Sequence, residues 1–199
     1  MKVLIACEFS GIVREAFRRR GHDAWSCDLL DTEIPGQHYK GDIRDLLRDY
    51  WDLMIFHAPC TRLANSGVHW LAERNLWNEM EEAAYFFKML LDADVPMICG
   101  ENPIPHKYAL SLIGRKYDQI IQPWQFGHGE TKATCLWLHN LPLLKPTNIV
   151  EGREQRIHKE PPGEERWKNR SRTFTGIAEA MAEQWGSTPE IPDNTKDDK

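Results

Sequence analysis

Asp52-Leu-Met-Ile-Phe-His-Ala-Pro-Cys60 is the stretch of sequence that decides how the rest of the chain is interpreted. Its apolar run ends abruptly at a Pro-Cys dipeptide, which predicts a buried strand whose carboxyl end delivers a thiol to a loop. Ligands and catalytic groups of open α/β sheets gather at that edge. Cys60 is therefore a candidate nucleophile, and a small buried structural cysteine is the alternative interpretation.

A similar pattern recurs further along the chain, in Val95-Pro-Met-Ile-Cys-Gly-Glu-Asn-Pro103. This second apolar run ends in the carboxylate of Glu101 and the amide of Asn102. A thiol and a carboxylic acid on neighbouring strands suit covalent chemistry on a ring that needs a nucleophile and a proton donor. Asn102 can brace the loop, and the alternative for Glu101 is an ordinary surface glutamate.

Length and composition place the chain among folded globular proteins. It has 199 residues, an apolar fraction of 41% and a net charge of −5. These values predict one domain over residues 1–186, followed by a charged, proline-containing tail over 187–199 that we expect to be disordered. The acidic balance does not favour tight binding to nucleic acid, but the local distribution of charge matters more than the sum.

The sequence also predicts where the protein works and what it lacks. No stretch is long and apolar enough to span a bilayer, and the N-terminal segment turns acidic too early for a signal peptide. We therefore expect a cytoplasmic protein with no membrane partner. The five cysteines are scattered and form no CxxC pair, which argues against a disulfide framework and against a metal site.

Apolar strands alternate with helices through the first two thirds of the chain. This alternation predicts an α/β fold with a doubly wound, mostly parallel sheet. The predicted strands lie at 2–6, 22–27, 52–57 and 95–100, with a later hairpin of 117–122 and 134–138. The predicted helices lie at 11–20, 43–50, 72–92, 107–113 and 175–185. We expect loops at 31–39 and 61–70, and little regular structure over 140–167.

The first βα turn, which runs Cys-Glu-Phe-Ser-Gly over residues 7–11, is a candidate cofactor site. A turn that opens onto a helix N-terminus after the first strand is the usual cradle for a nucleotide-like cofactor. The turn has a single glycine, so the GxGxxG signature is absent and a diphosphate is hard to seat. S-adenosylmethionine carries no phosphate and needs a less close approach of the backbone, with Phe9, Ser10 and Gly11 as candidate contacts.

Two acidic residues follow the next strand ends. Asp28 can accept hydrogen bonds from both ribose hydroxyls of a nucleotide-like cofactor, or it can be a turn aspartate. Asp42 can accept from an adenine amino group while Ile43 packs on the ring, or the pair can be a simple helix cap. The order of Gly11, Asp28 and Asp42 along successive strand ends gives the set more weight than its members have alone.

Together these segments resemble the DNA cytosine-5 methyltransferases, and the similarity runs in order through most of the chain. Phe9-Ser10-Gly11 is similar to the family's Phe-x-Gly cofactor loop, and Asp28 falls where its acidic ribose ligand lies. Gly41-Asp42-Ile43 matches the adenine-binding Gly-Asp-Ile. Ala58-Pro59-Cys60 resembles the Pro-Pro-Cys catalytic loop, and Glu101-Asn102-Pro103 resembles Glu-Asn-Val. Residues 126–134 occupy the place of the Tyr-Gly-Val-Pro-Gln-x-Arg-x-Arg segment, and residues 176–182 that of the last motif.

The resemblance implies a Rossmann-like, S-adenosylmethionine-dependent methyltransferase that modifies cytosine C5. Cys60 would attack C6 of the base, Glu101 would hydrogen-bond or protonate N3, and Lys132 would stand near the base and the glutamate. Pro59 would belong to the cofactor side of the catalytic loop. The base would have to leave the stack first.

The chain departs from the family pattern in two respects. Val13 replaces the second glycine of the cofactor loop, and Glu130, Lys132 and Thr134 replace the Gln and the two Arg of the later segment. The family also places a target recognition domain before its last motif, where this chain has only a reduced substrate-facing region, 140–170. A chain with so little recognition apparatus fits a phage or mobile-element modification enzyme that acts on DNA with limited sequence recognition.

Substrate contacts are predicted in two loops. Arg166, Trp167 and Lys168 can track a phosphate backbone and stack on a base, or they can belong to a solvated surface loop. His69 lies in the second candidate loop. Asn102 is also a candidate substrate contact.

Three functions remain open from the sequence. The leading hypothesis is methyl transfer to cytosine C5 in DNA. The second is C5 modification of a free nucleotide or of an RNA pyrimidine. The third is a catalytically inactive methyltransferase-like module that binds DNA or protein. The sequence predicts neither the oligomeric state nor the target sequence.

Overall fold

A computed structural model describes residues 1–187, so the predicted tail lies outside the described residues apart from Ser187. Within them, seven strands form one sheet in the order β3-β2-β1-β4-β5-β7-β6. The strands are β1 (Lys2–Ala6), β2 (Asp23–Asp28), β3 (His38–Lys40), β4 (Leu53–Phe56), β5 (Met97–Pro103), β6 (Gln119–Ile121) and β7 (Thr134–His139).

The first five strands are parallel, whereas β7 runs antiparallel to both β5 and β6. Helices pack on both faces of the sheet. They are α1 (Ile12–Arg19), α2 (His69–Glu73), α3 (Trp77–Leu91), α4 (Lys107–Ile113), α5 (Arg156–Lys159), α6 (Arg166–Ser171) and α7 (Thr175–Trp185). The α/β class and the doubly wound, mostly parallel sheet predicted from the sequence are confirmed.

The core consists of two layers, because successive residues of a buried strand point to opposite faces of the sheet. Ile5 of β1 packs with Phe17 of α1 and Met181 of α7 on one face. Its neighbour Leu4 packs with Phe87 of α3 on the other face. Strands buried on both sides read as continuous apolar runs, which is the pattern that 2–6 and 52–57 show in the sequence.

Several predicted element boundaries were wrong. The predicted helix 72–92 is two helices, because Asn75 adopts a left-handed φ of 52° and interrupts the helix between α2 and α3. The predicted loop 31–39 contains the start of the short edge strand β3, which pairs with β2. The predicted helix 43–50 is only a 3₁₀ turn over Ile43–Asp45.

The segment 140–167, for which little regular structure was predicted, contains α5 and the start of α6. After α6 the chain leads directly into α7. Gly176 lets α7 begin close to the preceding hairpin, because a Cβ at this position would lie 1.9 Å from the carbonyl oxygen of Phe126. His128 Nε2 accepts a hydrogen bond of 3.0 Å from the Gly176 amide and fixes that approach.

Candidate active site

The carboxyl ends of β1, β4 and β5 meet around a cavity of about 120 Å³. The residues around it come from the first βα turn, the loop after β4, the end of β5 and the segment that leads into α7. They are 7–10, 57–60, Glu101, Pro103, Lys132 and 170–173. The structure thus brings six of the candidate residues to one place: Phe9, Ser10, Pro59, Cys60, Glu101 and Lys132.

Glu101 is held by a neighbour that the sequence analysis did not single out. Its Oε2 lies 3.0 Å from Nδ1 of His57, and both side chains are largely buried. Burial of the Glu101 carboxyl opposes ionisation, but the hydrogen bond from His57 and the charges of His57 and Lys132 outweigh it. The net effect lowers the pKa of Glu101, so this residue is a carboxylate at neutral pH.

Cys60 is exposed at the cavity and is not a poised thiolate. Desolvation of the sulfur and the negative charge of Glu101 raise the pKa of Cys60, and Lys132 and Arg170 only partly oppose this shift. The thiol form therefore predominates at neutral pH, and Cys60 could act as a nucleophile only if a base accepted its proton.

Lys132 reaches across the cavity and does not bind a carboxylate. Its Nζ donates a hydrogen bond of 2.8 Å to the carbonyl oxygen of Arg170, and the carbonyl oxygen of Arg172 lies 3.5 Å away. The ammonium therefore fastens the segment 170–173 to the hairpin, at a position that still lowers the pKa of both Cys60 and Glu101.

The carboxylate of Glu8 occupies the position at the amino end of α1 where an anion could otherwise bind. Its buried carboxylate accepts hydrogen bonds from the amide of Val13 (2.7 Å) and the hydroxyl of Ser10 (3.1 Å). These are the donors that a phosphate would need at a helix N-terminus. The donors that a diphosphate would use in this turn are therefore already engaged by Glu8.

Arg14 links the helix that follows the first βα turn to the loop 31–37. Its guanidinium is fully buried and donates hydrogen bonds to Ser26 Oγ, Thr32 Oγ1 and the carbonyl oxygen of Ile34. These bonds tie the loop 31–37 to α1. The same loop joins the cofactor turn directly, because the amide of Glu33 donates a 2.9 Å bond to the carbonyl oxygen of Phe9.

The other predicted cofactor contacts lie around the turn but do not line the cavity. Asp28 ends β2 and accepts a bond from the amide of Leu30, and its charge raises the pKa of Cys7 in the cavity wall. Asp42 also contributes to that shift, yet its carboxylate caps a 3₁₀ turn and pairs with Arg44. Ile43 is buried in the core and Gly11 caps α1 in a left-handed conformation.

Asn102 braces the loop after β4 and does not line the cavity. It is buried, and its Nδ2 donates a 3.3 Å hydrogen bond to the carbonyl oxygen of Ala58, two residues before Cys60. The bracing function predicted for Asn102 agrees with this contact. Its predicted contact with substrate is not favoured by the burial.

The predicted substrate residues Arg166, Trp167 and Lys168 lie in residues 166–174, which we call the strap. The strap contacts the first βα turn. Trp167 is 53% exposed and its ring centroid lies 5.8 Å from that of Phe9. Arg166 donates to the carbonyl oxygen of Glu160, and Lys168 pairs with Glu165.

The strap is anchored at its far end by an ion pair, in which Arg172 Nε donates a 2.8 Å hydrogen bond to Glu33. His69 lies apart from the strap, at the start of α2, where its ring packs against the exposed Trp70.

Sequence reasoning missed four residues that shape this site. His57 stood inside the stretch that was singled out, and its position directly after a buried strand was the available signal. Glu8 stood inside the cofactor turn, where an acidic residue before a helix start indicates a cap. Arg14 and Arg172 gave no local signal, because their partners lie far away in the sequence.

Comparison with known proteins supports the fold. No protein-family model and no curated protein matches the chain. Among solved structures, it is similar to a prophage-encoded E. coli protein assigned as a DNA modification methyltransferase. That match has a TM-score of 0.50 and 13% identity over 75% of this chain and 51% of that chain. The Entamoeba histolytica methyltransferase EhMeth matches with a TM-score of 0.47 and 14% identity, over 77% of this chain and 56% of that chain.

The chain thus spans about half the length of the solved proteins it matches. Its sheet and flanking helices have the Rossmann-like methyltransferase fold that was predicted. No helix within residues 1–187 is long and apolar enough to cross a membrane. The same residues contain no cluster of three or more His, Cys, Asp or Glu side chains that could hold a metal ion.

Proposed function

We propose that the protein transfers a methyl group from S-adenosylmethionine to C5 of cytosine in DNA, through a covalent adduct at Cys60. The observation that carries the proposal is the cavity itself. It places the Cys60 thiol and the Glu101 carboxylate beside a βα turn whose anion site is already filled. A nucleophile, an acid and a turn for a phosphate-free cofactor are the three parts that this chemistry needs.

The cofactor would occupy the side of the cavity formed by the first βα turn. Phe9 and Ser10 would contact it there, Pro59 would face it from the catalytic loop, and Asp28 would take its ribose from the end of β2. Gly11, Asp42 and Ile43 complete the proposed set, with Asp42 exchanging its bond to Arg44 for one to the adenine. When bound, S-adenosylmethionine supplies an electrophilic methyl group.

Cys60 and Glu101 would act on the pyrimidine. The Cys60 sulfur forms a bond to C6 as its thiol proton passes to solvent, while a proton is delivered to N3 through the Glu101 carboxylate, and C5 becomes nucleophilic. After C5 has taken the methyl group, a base removes the C5 proton, the C5–C6 double bond returns and the thiolate leaves. Lys132 would stabilise the negative charge near both groups, since it already opposes the rise in the pKa of Cys60.

DNA as the substrate is supported by the exposed residues of α6. Trp167 is exposed next to Phe9, which lines the cavity, and Arg166 and Lys168 are its neighbours in the sequence. An exposed aromatic ring with nearby cations can stack a base and hold a phosphate backbone. His69 and Trp70 would contribute at the other side of Cys60. The E. coli prophage protein, which shares the fold, is itself assigned to DNA modification.

The deciding experiment is nucleoside mass spectrometry of DNA from cells that express the protein. We expect 5-methylcytosine with the native chain and none with Cys60→Ala. Cys135→Ala is the matched control, because Cys135 is a buried cysteine of β7 outside the cavity. Calorimetry should show nearly equal cofactor affinity for native and Cys60→Ala proteins. Methylation by Cys60→Ala would remove Cys60 as the nucleophile.

A nucleotide or RNA pyrimidine is the second candidate substrate, and the net charge of −5 favours it over duplex DNA. Methyl transfer measured side by side on duplex DNA, single-stranded DNA, RNA and dCMP separates the two. Absence of cofactor binding, with DNA or protein binding intact, would instead identify a binding module.

A further inference from the structure

The proposed reaction assigns no role to His57, although this residue lies beside Glu101. It follows β4 directly, and its ring lines the same cavity as Cys60 and Glu101. Its Nδ1 lies 3.0 Å from Glu101 Oε2, with exposed side-chain fractions of only 10% and 15%. Its Nε2 is buried and has no hydrogen-bond partner among the described residues. Buried polar atoms are nearly always hydrogen-bonded, so this nitrogen calls for an explanation.

We propose that His57 and Glu101 act as a dyad that holds one shared proton, which Glu101 delivers to N3 of the pyrimidine. His57 is a positioning residue in this scheme, because it acts through Glu101 and not on the ring. The inference rests on the proposed function, since it names the source of the proton that the attack by Cys60 requires.

The need for such a source follows from the charge of Glu101. N3 of neutral cytosine carries a lone pair, and a carboxylate is an acceptor only, so the two repel each other. The pKa of Glu101 lies below its ordinary value, because the effect of burial is outweighed by the hydrogen bond from His57 together with the charges of His57 and Lys132. Glu101 alone would therefore seldom carry a proton at neutral pH, whereas an imidazole is protonated in part under those conditions.

Each proton has a source and an acceptor. As the sulfur of Cys60 bonds to C6, its thiol proton passes to solvent, and the one proton that His57 and Glu101 share moves through Glu101 to N3. The imidazolium becomes neutral imidazole, and the ring gains one proton and one thioether bond. When the thiolate leaves after methylation, the N3 proton returns through Glu101 to His57.

Other ionisable groups lie near the dyad and would tune its proton affinity. Each of them interacts electrostatically with His57, with Glu101 or with Cys60. They are Asp28 from β2, Cys60 from the catalytic loop, Cys99 from β5, Lys132 and Cys135 from the hairpin, and Arg170 from the strap.

Two variants separate a shared proton from a simple hydrogen bond. His57→Asn keeps an N–H donor near the position of Nδ1 but cannot ionise, and His57→Gln removes the donor from that position. His22→Gln is the control, because it removes a titratable imidazole that packs on Phe17, away from the cavity. Thermal unfolding of all three verifies that each variant is folded.

The first measurement is the pH profile of single-turnover methyl transfer. In model peptides an imidazole loses its proton near about pH 6.5 and a carboxyl near about 4.3, so a proton that can be drawn from an imidazole stays available to higher pH than one held by a carboxyl alone. We expect the alkaline limb to move to lower pH by at least about one unit in both His57 variants and to stay in place in His22→Gln. A native alkaline limb in His57→Asn would overturn the proposal, since a hydrogen bond would then suffice.

The second measurement needs neither cofactor nor activity. The side-chain carboxyl of Glu101 is followed by ¹³C NMR against pH in the native protein and in both variants. We expect it to titrate at higher pH in His57→Gln, because the bond that lowers its pKa is lost. Identical titration curves would show two independent groups and would overturn the dyad. A native protein without methyl transfer would defeat the proposed function, and the titration alone would then decide the dyad.

Discussion

The two walls of the cavity are built in opposite ways. The first βα turn is held from within by the buried carboxylate of Glu8 and the buried guanidinium of Arg14. The strap on the other side is held by contacts near the surface, among them Arg172 with Glu33, Lys132 with backbone carbonyls, and Trp167 with Phe9. Buried, fully partnered polar groups are costly to disturb, whereas exposed ion pairs contribute little. The wall formed by the first βα turn is therefore rigid, whereas the wall formed by the strap can be displaced.

The largest expected loss of stability is for a substitution in the rigid wall, which the first βα turn forms. Arg14→Met should lower the free energy of unfolding by about 3–5 kcal/mol, because several buried groups lose their partner at once. Arg18→Met is the matched control on the same helix, where the side chain is 55% exposed and pairs with Glu15. The control should cost less than about 1 kcal/mol. Urea unfolding measures both, and similar values would contradict the distinction between the walls.

A smaller loss is expected from the helix cap of the same wall. Glu8→Gln should lower the free energy of unfolding by about 1–3 kcal/mol, because an amide replaces a carboxylate that accepts from the helix N-terminus. Glu79→Gln in the first turn of α3 is the control, since that residue is exposed and pairs with Arg62. A change of less than about 0.5 kcal/mol is expected there. Equal losses in urea unfolding would mean that Glu8 is not a special cap.

The displaceable wall should respond in mobility more than in global stability. Arg172→Gln should change the free energy of unfolding by less than about 1 kcal/mol. It should nevertheless speed proteolytic cleavage within residues 166–174 and alkylation of Cys60, because the strap loses its anchor. Lys168→Gln is the control, since the ion pair of Lys168 is with Glu165, three residues before it in the sequence, and does not link the strap to the loop 31–37. Unchanged cleavage and alkylation rates would show that other contacts hold the strap.

The smallest effect is a dependence of the strap on pH. The hydrogen bond from Arg172 lowers the pKa of Glu33 below its usual 4.5. Since the folded pKa is the lower one, the stabilisation is complete above pH 4.5 and is lost as the pH falls through the folded value. Hydrogen exchange of 166–174, corrected for its intrinsic pH dependence, should lose protection in that acidic range. In Glu33→Gln the protection should already be reduced at neutral pH.

The sequence-based predictions were accurate where the signal is local in the sequence and failed where the structure depends on contacts between distant residues. Strand 2–6 and the helices 107–113 and 175–185 were predicted with their observed bounds, because hydrophobic periodicity is a local signal. The break between α2 and α3 was missed, since the left-handed conformation of Asn75 has no strong signature in a polar helix surface. The predicted meeting of Cys60 and Glu101 at one sheet edge follows from parallel strands, whose carboxyl ends share that edge.

Contacts between distant residues were beyond the reach of the sequence. Arg172 and Glu33 are separated by 139 positions, and no local pattern pairs them. The attachment of Lys132 to the carbonyl groups of the strap is equally non-local, so its position was inferred only from the resemblance. His57 was within reach, but a histidine at the end of a strand shows its partner only when the neighbouring strand is placed beside it.

The raised pKa of Cys60 affects how readily its sulfur is oxidised. Peroxide and disulfides react with thiolates, and oxidation to sulfenic acid follows the thiolate fraction. Because desolvation and the charge of Glu101 keep Cys60 as a thiol, the exposed sulfur should resist such damage for as long as no substrate occupies the cavity. The carboxylate of Glu101 would thus also protect the Cys60 sulfur from oxidation.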